Sequence, residues 1–109
     1  MANIANLSLV IIFSKSYCPY SKKAKSILLK KYDITPAPYV VELDLHELGP
    51  ALQDQLEKST GRRTVPNILV NGKSIGGGDD IEELHNTGAL IKKIESLTGK
   101  RVQIKALDS

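Results

Sequence analysis

The residues best able to do chemistry in this chain lie in Lys15-Ser16-Tyr17-Cys18-Pro19-Tyr20-Ser21, because Cys18 is the only thiol among 109 residues. An apolar run precedes it and helical spacing follows it, which puts the thiol between a strand end and a helix start. Unpaired N–H groups and the positive end of the helix dipole favour an anion there. A thiolate is such an anion, and it is the nucleophilic form of cysteine. The alternative is a small apolar residue packed at a turn. Two other loops have chemical potential. A cis peptide before Pro66 in Thr64-Val65-Pro66 would turn the chain and leave the Val65 backbone able to pair with an extended peptide. Gly76-Gly77-Gly78-Asp79-Asp80 is either a plain turn or a helix start, where N–H groups take a carboxylate and an aspartate takes an amine.

These loops need strands and helices to hold them. Leu7 to Phe13 reads as a strand buried on both faces. Tyr20, Ala24, Ile27 and Leu28 form one helical stripe that starts after Pro19, with Lys22, Lys23, Lys25 and Ser26 facing outward. Thr35-Pro36-Ala37-Pro38 is a linker, and Val41, Leu43 and Leu45 alternate as in a half-buried strand. Leu48, Ala51, Leu52, Gln55, Leu56 and Ser59 follow helical spacing up to Gly61. Asn67–Val70, Asn71-Gly72 and Lys73–Ile75 read as a tight hairpin. Asp79 is the expected N-cap of a short helix through His85, and Leu90, Ile91, Ile94 and Leu97 mark a last helix closed by Gly99. The tail from Lys100 is expected to be loosely docked or frayed. The order β-α-β-α-β-β-α-α predicts one α/β domain over residues 1–109, a four-stranded mixed sheet with helices on both faces.

Composition narrows the functions. Hydrophobic residues are 41% and charged residues 25% of the chain, and the net charge is +3. Asp and Glu dilute the lysine clusters and there is no Trp, so a nucleic-acid surface is not indicated. One cysteine excludes an intramolecular disulfide and a multi-thiolate metal site within one chain. No apolar run reaches the ~20 residues of a membrane span, and the start lacks the basic segment of a signal peptide. A soluble domain is expected. His46, beside a strand end, and His85, near a helix end, are not assigned a catalytic part.

Taken together, Lys15 ahead of Tyr17-Cys18-Pro19-Tyr20, then Thr64-Val65-Pro66, then Gly76-Gly77 followed by Asp79-Asp80, in this order and spacing, resembles the glutaredoxins over residues 4 to 98. Cys18-Pro19-Tyr20-Ser21, Tyr39-Val40-Val41-Glu42-Leu43-Asp44 and Asn67-Ile68-Leu69-Val70-Asn71-Gly72 look most like the membrane-tethered monothiol members of the yeast secretory pathway. The resemblance implies a thioredoxin-like fold, a cis Pro66, glutathione as ligand, glutathionylated proteins as partners and disulfide reduction as activity. It implies a monomer in the ER or Golgi lumen and is compatible with a membrane anchor upstream. By the same resemblance, Cys18 is the nucleophile, and Lys15 lowers its pKa and meets the glycyl carboxylate of glutathione. Gln53 and Arg63 assist at that carboxylate, and the Val65 backbone, within Thr64-Val65-Pro66, holds the cysteinyl moiety. Gly77, Gly78, Asp79 and Asp80 form the γ-glutamyl end, and Tyr20 flanks the mixed disulfide. Ser21 stands where dithiol members carry a second cysteine, so a monothiol route is implied. The alternative from the family is a dimer bridged by a [2Fe-2S] cluster on Cys18 and glutathione. Family members dedicated to clusters usually have Gly-Phe after the cysteine, where this chain has Pro19-Tyr20.

Overall fold

The computed structural model describes residues 9–107, so Leu7 of the expected first strand lies outside them. The elements, in order, are β1 (Val10–Ser14), α1 (Pro19–Lys30), β2 (Tyr32–Thr35), β3 (Tyr39–Glu42), α2 (Gly49–Thr60), β4 (Asn67–Val70), β5 (Lys73–Gly76), α3 (Gly78–Asn86), α4 (Leu90–Thr98) and β6 (Gln103–Ala106). A single 3-10 turn, Gly99–Arg101, joins the last two.

The main sheet is four-stranded and mixed, in the order β3-β1-β4-β5. β1 runs parallel to β3 and antiparallel to β4, and β4 runs antiparallel to β5. All five residues of β1 are buried, as its unbroken apolar run requires. The two-residue period of the strand then divides the core. Val10 and Ile12 pack with Ala24, Leu28, Ile81, Leu90 and Ile94 of α1, α3 and α4. Ile11 and Phe13 pack on the other face with Leu52 and Leu56 of α2. The hairpin turns on Asn71 and Gly72, both left-handed at φ 50° and 80°, as a type I′ turn demands.

The sequence expectation needs correction in several places. Tyr20 and Leu48, expected on the apolar stripes of α1 and α2, are exposed, and Ser21 is buried beside Ala24, Ile27 and Leu28. The tail is not frayed at residues 103–106: β6 pairs antiparallel with β2, Ile34 opposite Ile104, in a second two-stranded sheet. Tyr32, Ile34, Val102 and Ile104 are all buried there, which repays the ordering of a short polar tail. The strand after the proline linker ends at Glu42. Leu43 turns into the core and Leu45 is 75% exposed, because the chain bends toward α2 instead of continuing the ladder. The N-cap of α3 is Gly77, not Asp79; Asp80 instead reaches back to accept the Gly77 N–H at 2.8 Å. Finally, Lys23 and Lys25 are not simply solvated. Lys25 Nζ meets Glu42 at 2.6 Å, and Lys23 bridges to Asp79 at 3.3 Å and Glu82 at 3.4 Å, linking α1 to β3 and α3.

Candidate functional site

Cys18 is the N-cap of α1, with extended backbone (φ −80°, ψ 122°) and Pro19 entering the first turn. Its N–H donates to the Lys15 carbonyl and its own carbonyl accepts the Lys22 N–H, both at 3.0 Å, so the turn and the helix fix the residue from either side. The approach loop is also pinned from the turn after β3: Asp44 accepts the Ser16 N–H at 2.9 Å and the Ser16 hydroxyl, which hold its carboxyl below the usual range. The side chain of Cys18 is half-buried.

Partial burial pushes the Cys18 thiol up. The Ser21 N–H and hydroxyl, then the Tyr20 N–H, then the charge of Lys15, together more than reverse this, and the thiol sits below an ordinary cysteine. Lys15 is the weakest of these influences. Ser21 is fully buried, and its oxygen also accepts the Lys15 N–H at 3.3 Å. The hydroxyl therefore sits at the hub of the loop. Replacing Ser21→Ala should move the midpoint of Cys18 alkylation against pH upward, toward that of an ordinary thiol; an unmoved midpoint would show that the hydroxyl gives no support.

Beside the thiol lies a cleft of about 480 Å³. One wall is Thr64, Val65 and Pro66, with the Val65–Pro66 peptide cis; the other is Gly78, Asp79 and Asp80 at the start of α3. Tyr20 and Arg62 complete it. Cys18 Sγ is 4.0 Å from the Val65 carbonyl oxygen, at the end of the first wall. The β1–β4 ladder starts at Asn67, so the Val65 backbone stands outside it at the cleft edge. A small peptide with carboxylates and an amine fits this lining: three α3 N-terminal residues with two aspartates, the backbone edge at Val65 and one guanidinium.

The Glutaredoxin family model matches residues 10–75. The chain belongs to the glutaredoxin family. Monothiol glutaredoxin-7 of Saccharomyces cerevisiae is 48% identical to it over 103 residues, which is 94% of this chain and 51% of that protein. Glutaredoxin-C8 of Oryza sativa subsp. japonica is 51% identical over 83 residues, 76% of this chain and 60% of that one. The chain thus spans between half and about three-fifths of these curated relatives. A crystal structure of a buckwheat glutaredoxin–glutathione complex superposes with a TM-score of 0.72 at 34% identity, covering 87% of this chain and 84% of that one. The fold is the thioredoxin-like one of the glutaredoxins. No helix among the described residues is long and apolar enough to cross a membrane.

This glutaredoxin brings together Tyr20, Thr64, Val65, Pro66, Gly78, Asp79 and Asp80 around one cleft, with Cys18 beside it. Gly77 is buried just beneath, where a Cβ would meet the Arg62 guanidinium at 2.3 Å. Gln53 and Arg63 have other engagements. Gln53 Nε2 donates to the Arg63 carbonyl at 2.8 Å, and the Arg63 guanidinium pairs with Asp54 and Glu57 of α2. Arg62, one position earlier, is the arginine in the cleft, and sequence reading missed it. Lys23 was missed as well: its ammonium lies 5.3 Å from the Tyr20 ring centroid while it holds Asp79, so it ties Tyr20 to the α3 wall. His46 Nδ1 accepts the Leu48 N–H and His85 Nδ1 pairs with the Tyr32 hydroxyl, which accounts for both histidines. No group of three metal-ligating side chains occurs among the described residues.

Proposed function

We propose that this chain is a single-domain monothiol glutaredoxin that reduces protein–glutathione mixed disulfides through Cys18. The observation that carries the reading is the juxtaposition of a depressed, helix-capping thiol with a peptide-sized cleft, while a buried serine occupies the place of a second thiol. The Cys18 thiolate attacks the glutathione sulfur of the mixed disulfide. That sulfur–sulfur bond breaks, a Cys18–glutathione disulfide forms, and the protein leaves as its thiolate, which takes a proton. A second glutathione thiolate attacks at the glutathione sulfur, forming glutathione disulfide and regenerating Cys18. A low thiol pKa assists both steps, since it populates the nucleophile and improves the leaving group. Lys15, Gln53 and Arg63 serve the glycyl carboxylate, the Val65 backbone the cysteinyl unit, and Gly77 to Asp80 the γ-glutamyl end. Gln53 and Arg63 would have to exchange their present partners to do so.

The protein acts as a monomer in the secretory-pathway lumen, a placement supported by the likeness of Cys18–Ser21, Tyr39–Asp44 and Asn67–Gly72 to the tethered yeast members. Incubating the purified protein with a glutathionylated peptide and reduced glutathione should release the free peptide and glutathione disulfide in equal amounts. No release overturns the reading. Anaerobic purification with glutathione should yield a colourless monomer on gel filtration; a coloured dimer would favour a cluster-bridged assembly instead. Fluorescent tagging of the full-length protein tests the compartment.

A further inference from the structure

Arg62 belongs to the cleft by position but to no complete hydrogen-bond network. It follows Gly61, which ends α2, and its guanidinium is aimed across to the start of α3. One terminal nitrogen lies where a side chain on residue 77 would have to stand, so a glycine there leaves it room. The other terminal nitrogen is 3.9 Å from Asp80 Oδ2, an ion pair beyond hydrogen-bond length. Nε is buried and, among the described residues, has no hydrogen-bond partner. A guanidinium has five N–H donors in a fork that matches a carboxylate, and a buried donor without a partner is costly. Neighbouring charges are already committed. Lys23 answers Asp79, and Arg63 is held by Asp54 and Glu57. What remains at this end of the cleft is one cation with spare donors beside one carboxylate.

That pair is complementary to a zwitterion whose ammonium and carboxylate share a carbon. The γ-linked glutamyl unit of glutathione has such an end; an α-linked residue within a peptide does not. We propose that Arg62 is a specificity-determining residue that reads the α-carboxylate of the γ-glutamyl unit, leaving Asp80 for its ammonium. The inference rests on glutathione as the ligand. Without Arg62, two aspartates and one lysine would face that carboxylate, and the α3 N-terminus alone would have to offset the repulsion.

The test compares two substrates on each enzyme: a peptide in mixed disulfide with glutathione, and the same peptide in mixed disulfide with cysteinylglycine, which lacks the γ-glutamyl unit. Wild type should prefer the first by kcat/KM. Arg62→Met should cut that preference about tenfold or more, with the loss in KM for the glutathione substrate and not in kcat. Arg62→Lys should fall between, since a lysine restores charge without the fork. Because the readout is a ratio within one enzyme, a general loss of activity leaves it unmoved. If Arg62→Met folds poorly, Arg62→Lys decides alone. A ratio unchanged between wild type and the Arg62 variants, where the wild type does turn over the glutathione substrate, overturns the role of Arg62 only. A wild type that reduces neither substrate overturns the glutathione reading, and this inference with it.

Discussion

Cys18→Ser should abolish turnover of glutathionylated peptide, on the order of a thousandfold or more, while leaving the fold and glutathione binding in place. The chain offers no second thiol to rescue the reaction. A serine hydroxyl at the same position ionises far less readily, and the helix start and Ser21 cannot lower its pKa enough to make a comparable nucleophile. The fold should tolerate the change because a serine hydroxyl can keep the partners of the half-buried sulfur, the Ser21 and Tyr20 N–H groups, the Ser21 hydroxyl and the Val65 carbonyl at 4.0 Å. Melting by circular dichroism should therefore match wild type, and calorimetry should still detect glutathione. Residual turnover within tenfold of wild type would remove Cys18 from the chemistry.

Gly49→Ala should produce the largest loss of stability from a single methyl group. A Cβ on Gly49 would stand 1.9 Å from the Leu43 carbonyl oxygen and 3.0 Å from its carbon. Both neighbours are backbone, so no side-chain rotation relieves the clash and the start of α2 must shift. Leu43 is itself buried, and its N–H is tied to the Ser14 carbonyl at 2.8 Å, so movement there strains the end of β1. Overpacking of this kind costs about 3 kcal/mol, which for a domain of this size lowers the melting temperature by on the order of 15 °C. A melt within a degree or two of wild type would show that α2 can pivot freely.

How far the site was legible depended on the scale of the cause. The Cys18 loop, the Asn71-Gly72 hairpin and the Thr64-Val65-Pro66 segment each have local causes, a helix cap, a turn type and a proline, and could be placed from sequence. Arg62 and Arg63 could not be told apart. Adjacent residues after a helix end differ in direction by geometry that tertiary contacts decide, and here the acids of α2 hold Arg63 while Arg62 crosses to α3. The same limit hid β2 and β6. Neither has enough alternating apolar residues to stand as a strand alone, and only their pairing over Tyr32, Ile34, Val102 and Ile104 makes either one. The resemblance points to Lys15 as the group that lowers the thiol pKa, yet Ser21 does more for the thiol because it hydrogen-bonds the sulfur through its N–H and hydroxyl.

That late pairing bears on where this domain can safely be cut. The family match stops at residue 75, and a boundary drawn after α4 would keep every residue of the cleft. It would also strip β2 of its partner strand, the only one among the described residues, leaving a short apolar edge open to pair with any other chain. Tyr32 on that strand is hydrogen-bonded to His85 of α3 at 2.7 Å, and the first turn of the same helix forms a wall of the cleft. Residues 102–107, none of which lines the cleft, act as the seal on the strand that supports it.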